Sequence, residues 1–312
     1  MIADEALILN ACRQNPWFVP ANVRYALESL IPWCDAETLR AFASRYPKAQ
    51  RELEIGLILA GNVPMVGFHD LLVVLLCGHR AALKPSSKDS VLIQELLRRS
   101  PASVQERVQL VEGIHPDEVD GIIATGSDQT AAVLDKRFAK LPRCIRHSRF
   151  SVGVLDGTED AETLRDVASA VLMHHGMGCR SLSWLAVPQD WNPAGLVAAL
   201  EAWDAGELAQ GWSVAFRLAR ASEMMSASFL TDCSRIVLRK TRQLLPAPPA
   251  CLNVHFLESE AELASMLVSE QNRIQSVYGS WPGGQPFSSA QCPSIDAFAD
   301  GVDTMAWLSG LT

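Results

Sequence analysis

The sequence has no Cys-x-x-Cys pair, no basic stretch at its N-terminus, no long apolar run and no Gly-x-Gly-x-x-Gly after its first strand-like segment. Each absence excludes something. Cys12, Cys34, Cys77, Cys144, Cys179, Cys233, Cys251 and Cys292 are scattered along the chain, which argues against a zinc site and against a disulfide framework. The opening MIADEALILN carries acids and no basic region, so a secretory signal is not expected. The longest uninterrupted apolar run, residues 71–77, is far too short to span a bilayer. A net charge of −8 argues against a nucleic-acid or anionic-membrane surface. The missing glycine signature excludes a conventional dinucleotide fingerprint. No internal repeat and no low-complexity segment is present. A cytoplasmic protein is the expectation.

What is present is an ordinary globular composition, 48% apolar and 20% charged over 312 residues. That length suits one large domain or two. Residues 1–54 read as helical and poor in chemistry, with Trp17 and Trp33 as packing anchors or, alternatively, a binding platform. Residues 56–60 read as a buried strand, 61–64 (Gly-Asn-Val-Pro) as a turn, and 68–77 as a buried helix. Residues 81–83 form a second short strand that ends at Lys84-Pro85-Ser86-Ser87, and Asp89 or Ser90 then caps a helix running to Leu97. Residues 120–125 are a further strand, broken by Gly126-Ser127 before a helical run over 130–138. Strands alternating with helices, with glycines at the strand ends, predict a parallel, doubly wound α/β sheet. Ligands of such sheets bind beyond the carboxyl ends of the strands. Asn62, Lys84, Ser86, Gly126 and Ser127 all fall there. Each also has a plain alternative: Asn62 as a turn residue, Lys84 as a solvated lysine, Gly126-Ser127 as a helix-capping turn.

From Ser148 the pattern restarts. Residues 151–155 read as a strand and 160–173 as a helix, followed by Gly176-Met177-Gly178-Cys179 and a strand over 182–187. A cysteine just after two glycines sits where backbone approaches a substrate closely and amide N–H groups can donate. This suits a thiolate nucleophile beside an oxyanion hole, while an inert core cysteine is the alternative. His175, read as one helical turn before Cys179, either tunes the thiol and supplies a proton or, with His174, caps a helix C-terminus. Residues 201–225 read as mixed helix, 238–245 (LRKTRQLL) as a basic stretch before a proline loop, 251–257 as a strand, 258–271 as a helix and 274–278 as a short strand. Asp300 and Asp303 read as i,i+3 neighbours on a solvated helix face, with a metal site as the alternative.

Four segments in this order resemble the aldehyde dehydrogenase superfamily, and within it the LuxC-type acyl-CoA reductases: LAGNVPMVGFHDLLVVLLCGHRAALKPSSKD, IIATGSDQT, HHGMGCRSLSWLAVP and PFSSAQCPSIDAFADGVDTM. The resemblance covers roughly residues 54–307. It implies an aldehyde-dehydrogenase-like α/β fold: N-terminal helices and a Rossmann-like NAD(P) domain over 1–150, a catalytic thiol domain over 151–285, and a C-terminal segment over 286–312 that returns to the cofactor domain or makes an oligomer contact. It places Cys179 on the catalytic cysteine and Asn62 on the oxyanion-holding asparagine. Lys84 falls on the lysine of the adenosine ribose, Gly126 and Ser127 on the turn near the pyrophosphate, and Ser86 on a looser 2′-phosphate contact. No metal is implied.

One departure is informative. The superfamily's hydrolytic members carry a glutamate base shortly before the catalytic helix, and the equivalent stretch here, CIRHSRFSVGVL, has no carboxylate. Without it water attack on a thioester is poorly activated, which favours transfer to a thiol. The resemblance thus implies reduction of a fatty acyl-CoA to an aldehyde with NADPH, or NADH. An acyl-carrying protein as donor and an acyl-protein synthetase as partner are left open, as is a homo-oligomer. The alternatives are the same chemistry run as acylating aldehyde oxidation, and a non-catalytic acyl- or nucleotide-binding module.

Overall fold

The computed structural model describes residues 1–204 and 208–311; of the mixed helical region expected over 201–225, residues 205–207 lie outside the described residues. The chain divides into two compact units, Met1–Ser148 with Ser294–Thr312, and Arg149–Pro293.

In the first unit, helices α1 (Glu5–Gln14), α2 (Pro20–Ser29) and α3 (Ala36–Ala43) precede an α/β sheet. Its strands are β1 (Glu54–Ile58), β2 (Arg80–Lys84), β3 (Val108–Leu110), β4 (Gly121–Thr125) and β5 (Arg143–Arg146). The connecting helices are α4 (Phe68–Leu76), α5 (Ser90–Arg99), the short α6 (Ala102–Gln105) and α7 (Asp128–Arg137). Among the described residues the order is β3-β2-β1-β4-β5, and every pairing is parallel. The central strands are nearly continuous apolar runs because helices cover both faces, and Ile55, Leu57, Leu83 and Ile122 are fully buried. The edges, VQL and RCIR, carry no such run, and nothing in their sequence announces them as strands. Helix α4 buries Leu71, Val73 and Val74, as its almost wholly apolar sequence requires. Asp89 takes the N-cap position of α5, yet its side chain does not cap it. The first-turn amide of Val91 donates instead to Gln14 Oε1 at 3.2 Å.

The second unit holds β6 (Phe150–Val154), α8 (Ala161–Leu172), β7 (Leu182–Val187), α9 (Ala194–Ala202), α10 (Gln210–Glu223), β8 (Phe229–Asp232), β9 (Val237–Lys240), β10 (Cys251–Phe256), α11 (Glu260–Ser269) and β11 (Ile274–Gly279). The order among the described residues is β11-β6-β7-β10-β9-β8, parallel except for the β8–β9 pair. Val152, Val154, Trp184, Ala186 and Leu263 form its core. The basic stretch expected over 238–245 begins as β9. Val237 and Leu238 are buried, Arg239 pairs with Glu223 at 2.8 Å, and Lys240 sits over the Phe256 ring, so long charged side chains are accommodated at a strand end.

The chain then returns to the first unit with a helix over Thr304–Ser309, whose Met305 and Leu308 enter that unit's core. Asp303 caps this helix and accepts a bond from Tyr46 Oη at 2.9 Å, while Asp300 precedes it with a left-handed backbone (φ 60°). The two acids are therefore not neighbours on one helix face, because the helix begins only after Asp303. No helix among the described residues is long and apolar enough to cross a membrane.

Candidate active site

The register of the first sheet aligns the ends of three adjacent strands, since Ile58 lies opposite both Lys84 and Ala124. Asn62, Lys84, Ser86, Gly126 and Ser127 thus gather along one carboxyl edge of one sheet. Asn62 is exposed in the turn between β1 and α4. Asn15 Nδ2 donates to the Gly61 carbonyl at 3.2 Å, and the Met65 amide donates to Asp89 Oδ2 at 2.7 Å. Lys84 is half-buried as the last residue of β2. Ser86 accepts from the Lys88 amide at 3.3 Å and lies so close to Gly61 that a Cβ there would fall 2.5 Å from its side chain. At the end of β4 the Gly126 amide donates to the Arg146 carbonyl at 3.3 Å, and a Cβ on Gly126 would meet Thr130 at 2.9 Å. Ser127 caps α7, accepting from the Thr130 amide at 3.3 Å. Asp89 is 2% exposed, and burial pushes its carboxyl up to about 8 despite the bond from Met65.

Cys179 and His175 belong to the second unit. Helix α8 ends at Leu172, and His174, His175 and Gly176 then follow with left-handed backbone (φ 52°, 55° and 64°). His175 is therefore not one helical turn ahead of Cys179 on a continuing helix. Three successive left-handed residues, beginning at His174, carry the chain off the helix before β7. Cys179 is half-buried in this connection. Its carbonyl accepts from Ser151 Oγ at 2.9 Å, and the Ser181 amide closes a turn onto Gly178 at 3.0 Å. His175 is 3% exposed; its Nε2 accepts from the Ala209 amide at 3.0 Å and its ring lies 5.8 Å from that of Trp212. Burial, with His175 alongside, lowers His174 to about 4, so His174 is neutral at pH 7.

Six other thiols are shifted away from the thiolate. Burial pushes Cys77 and Cys251 up to about 11 and raises Cys144 and Cys233 as well, which makes them poor thiolates. Cys12 and Cys34 are raised for the same reason.

Three residues near Cys179 had no role assigned to them from the sequence. Ser151, within an apolar strand, holds the cysteine's backbone. Tyr278, fully buried on β11, is pushed up from its ordinary value by burial, opposed by the hydroxyls of Ser276 and Ser151 and by the charge of Arg180. Gln291 Nε2 donates to the Ala170 carbonyl at 3.2 Å and to Ser181 Oγ at 3.3 Å, tying Gln291 to the turn after Cys179. A lone polar residue in an apolar strand was the available signal for Ser151. Gln291 lies in one of the four segments that carry the resemblance, but its partners are more than a hundred residues away.

Two α/β sheets, the first parallel throughout and the second parallel except for one pair among the described residues, make an aldehyde-dehydrogenase-like fold. Solved structures agree on the fold. Proline utilization A is 14% identical with a TM-score of 0.62 over 87% of this chain and 33% of its own. An oxidoreductase from Marinobacter aquaeolei is 14% identical with a TM-score of 0.63, covering 88% and 69%. Aldehyde dehydrogenase C from Pseudomonas syringae, a variant in complex with NAD+ and octanal, is 15% identical with a TM-score of 0.57, covering 94% and 74%. The chain spans a third of the length of proline utilization A and more than two thirds of the other two. No curated protein matches it in sequence. The family described as acyl-CoA reductase (LuxC) matches residues 15–194, more than half of the chain, and the chain belongs to that family.

Proposed function

We propose that this protein reduces an acyl thioester, a fatty acyl-CoA in the simplest case, to an aldehyde through an acyl-enzyme on Cys179. The observation that carries the proposal is that the segment matched by the acyl-CoA reductase family, residues 15–194, contains Cys179 in its glycine-rich turn together with every gathered residue of the first sheet's carboxyl edge. In this reading the first unit holds the cofactor and the second supplies the thiol.

The Cys179 thiolate attacks the thioester carbonyl, the carbon–sulfur bond to coenzyme A breaks, and the acyl group is left on Sγ while the coenzyme A thiol departs. The Cys179 backbone N–H and the Asn62 amide are the proposed oxyanion donors, one such donor being worth about 3 kcal/mol. The bond from Ser151 to the Cys179 carbonyl fixes the turn that presents that N–H. The proposed proton source for the developing alkoxide is His175; with Nε2 engaged by Ala209, the proton it can offer is on Nδ1.

The residues at the carboxyl edge of the first sheet fit a dinucleotide. Gly126 leaves bare backbone where a side chain would crowd Thr130, and it leads into the N-terminus of the ten-residue α7, while Lys84 and Ser86 follow the neighbouring strand. A nicotinamide cofactor, NADPH in this proposal, supplies a hydride when bound. No carboxylate occurs in β5 or in the three residues that follow it, so no general base for water is provided there, which favours acyl transfer between thiols over release of an acid. The acyl donor in this proposal is coenzyme A or a protein thioester handed over by an acyl-protein synthetase.

The test is single-turnover labelling with a radiolabelled long-chain acyl-CoA, without reductant, on wild type and Cys179→Ala. Expected is label on wild type that NADPH discharges as aldehyde, and none on the variant. Equal label on both proteins removes Cys179 from the mechanism, and none on either, across several thioester donors, removes the activity.

A further inference from the structure

We infer that Asn15 and Asp89 are positioning residues that clamp the turn of residues 61–65 from opposite ends and so hold Asn62 for the reaction. The inference rests on the oxyanion role proposed above for Asn62. The turn itself needs holding. Its middle is exposed at Asn62, and it closes through Met65, a non-glycine residue in the left-handed region (φ 58°) that side chains rarely adopt.

Both ends are fixed by side chains that are each 2% exposed. At one end Asn15 Nδ2 donates to the Gly61 carbonyl, and Asn15 is itself locked, accepting from the Trp17 amide through Oδ1 at 3.0 Å. At the other end Asp89 Oδ2 accepts the Met65 amide. Asp89 stands where a residue would ordinarily cap α5, but Gln14 takes that task, and the carboxyl is turned to Met65 instead. A buried carboxyl is costly, and its second oxygen, Oδ1, has no partner, so helix capping alone does not account for it. Gly61 completes the device: a Cβ there would fall 2.5 Å from Ser86 and 3.2 Å from the Asp89 Cβ, so the turn lies directly on the β2–α5 loop. The end of α1, Gln14 and Asn15, thus joins the N-terminal helices to Asn62 through two adjacent residues.

The experiment combines two readouts on the full chain: the single-turnover rate of acyl-enzyme formation from acyl-CoA, and amide hydrogen exchange over residues 61–66. Asp89→Ala is expected to lose exchange protection in the turn and to acylate about 10²-fold more slowly, the scale of a ~1 Å misplacement. Asp89→Asn, which keeps an acceptor for Met65, is expected to restore both. Asn15→Ala, which cuts the other bond, should behave as Asp89→Ala does and decides the matter if Asp89→Ala fails to fold. In an Asn62→Ala background, Asp89→Ala should slow acylation no further, because it acts through Asn62. Unchanged exchange in the turn of the folded variants, or a full multiplicative loss in the double variant, overturns the inference. An Asn62→Ala protein that acylates at the wild-type rate removes the oxyanion role instead, and loss of protection in Asp89→Ala then still establishes the clamp as a structural one.

Discussion

At the scale of single residues, Asp89 gives this protein an unusual dependence on pH. Its carboxyl titrates near 8 in the folded state because burial disfavours the charge, against an ordinary value of 3.8. Between those values the folded chain holds a proton that the unfolded chain has released, so stability falls as pH rises through the window and the loss is complete above about 8. The slope from this group is at most about 1.4 kcal/mol per pH unit. Asp89→Asn, which cannot ionise, should show a flatter decline in thermal midpoint between pH 5 and 8 than wild type; parallel curves would refute the assignment. The glycine-rich connection around Cys179 was legible in the sequence because glycines have a local meaning, close backbone approach. Asp89 was legible as a capping residue only. Its real partner, the Met65 amide, is 24 residues away, and a carboxylate's choice between two amides is made by packing.

At the scale of elements, the parallel strands and the helices between them followed from apolar runs and glycine breaks, and the strand over Leu182–Val187 falls where the sequence places it. The edge strand β5 did not, since its residues are half charged. What seats it is an ion pair: Arg146 Nη1 lies 2.7 Å from both carboxylate oxygens of Asp70 on α4, with side chains 6% and 9% exposed. Asp70→Asn leaves that guanidinium buried without its carboxylate and should cost about 3–5 kcal/mol in urea denaturation, whereas replacing both residues with apolar ones of similar volume should cost less. A loss below 1 kcal/mol for Asp70→Asn would show the pair to be dispensable. The N-cap of α7 is a milder case. Ser127→Ala should lower stability by about 1 kcal/mol, checked in the same denaturation series.

At the scale of the whole molecule, the first unit is closed by residues from the far end of the chain. Leu308 is fully buried in its core, Cys77 Sγ lies 3.5 Å from Met305 Sδ, and His69 Nε2 is 2.7 Å from the Ile295 carbonyl. Leu308→Ala should therefore cost about 2–5 kcal/mol, while Val268→Ala, on an exposed face of α11, should stay within about 0.5 kcal/mol. Comparable midpoints for the two variants would mean that the C-terminal helix contributes little to the core it enters.

The sequence by itself determined the α/β class, the alternation of strands and helices, the thiol in its glycine-rich turn and the polar residues at the carboxyl edge of the first sheet, because all of these are read from spacing within a few residues. Tertiary structure alone decided that Asn15 and Asp89 share one turn and that Ser151 and Gln291 hold the surroundings of Cys179. Those pairings join groups tens to hundreds of positions apart, and only the packing that brings the strands and helices together selects them.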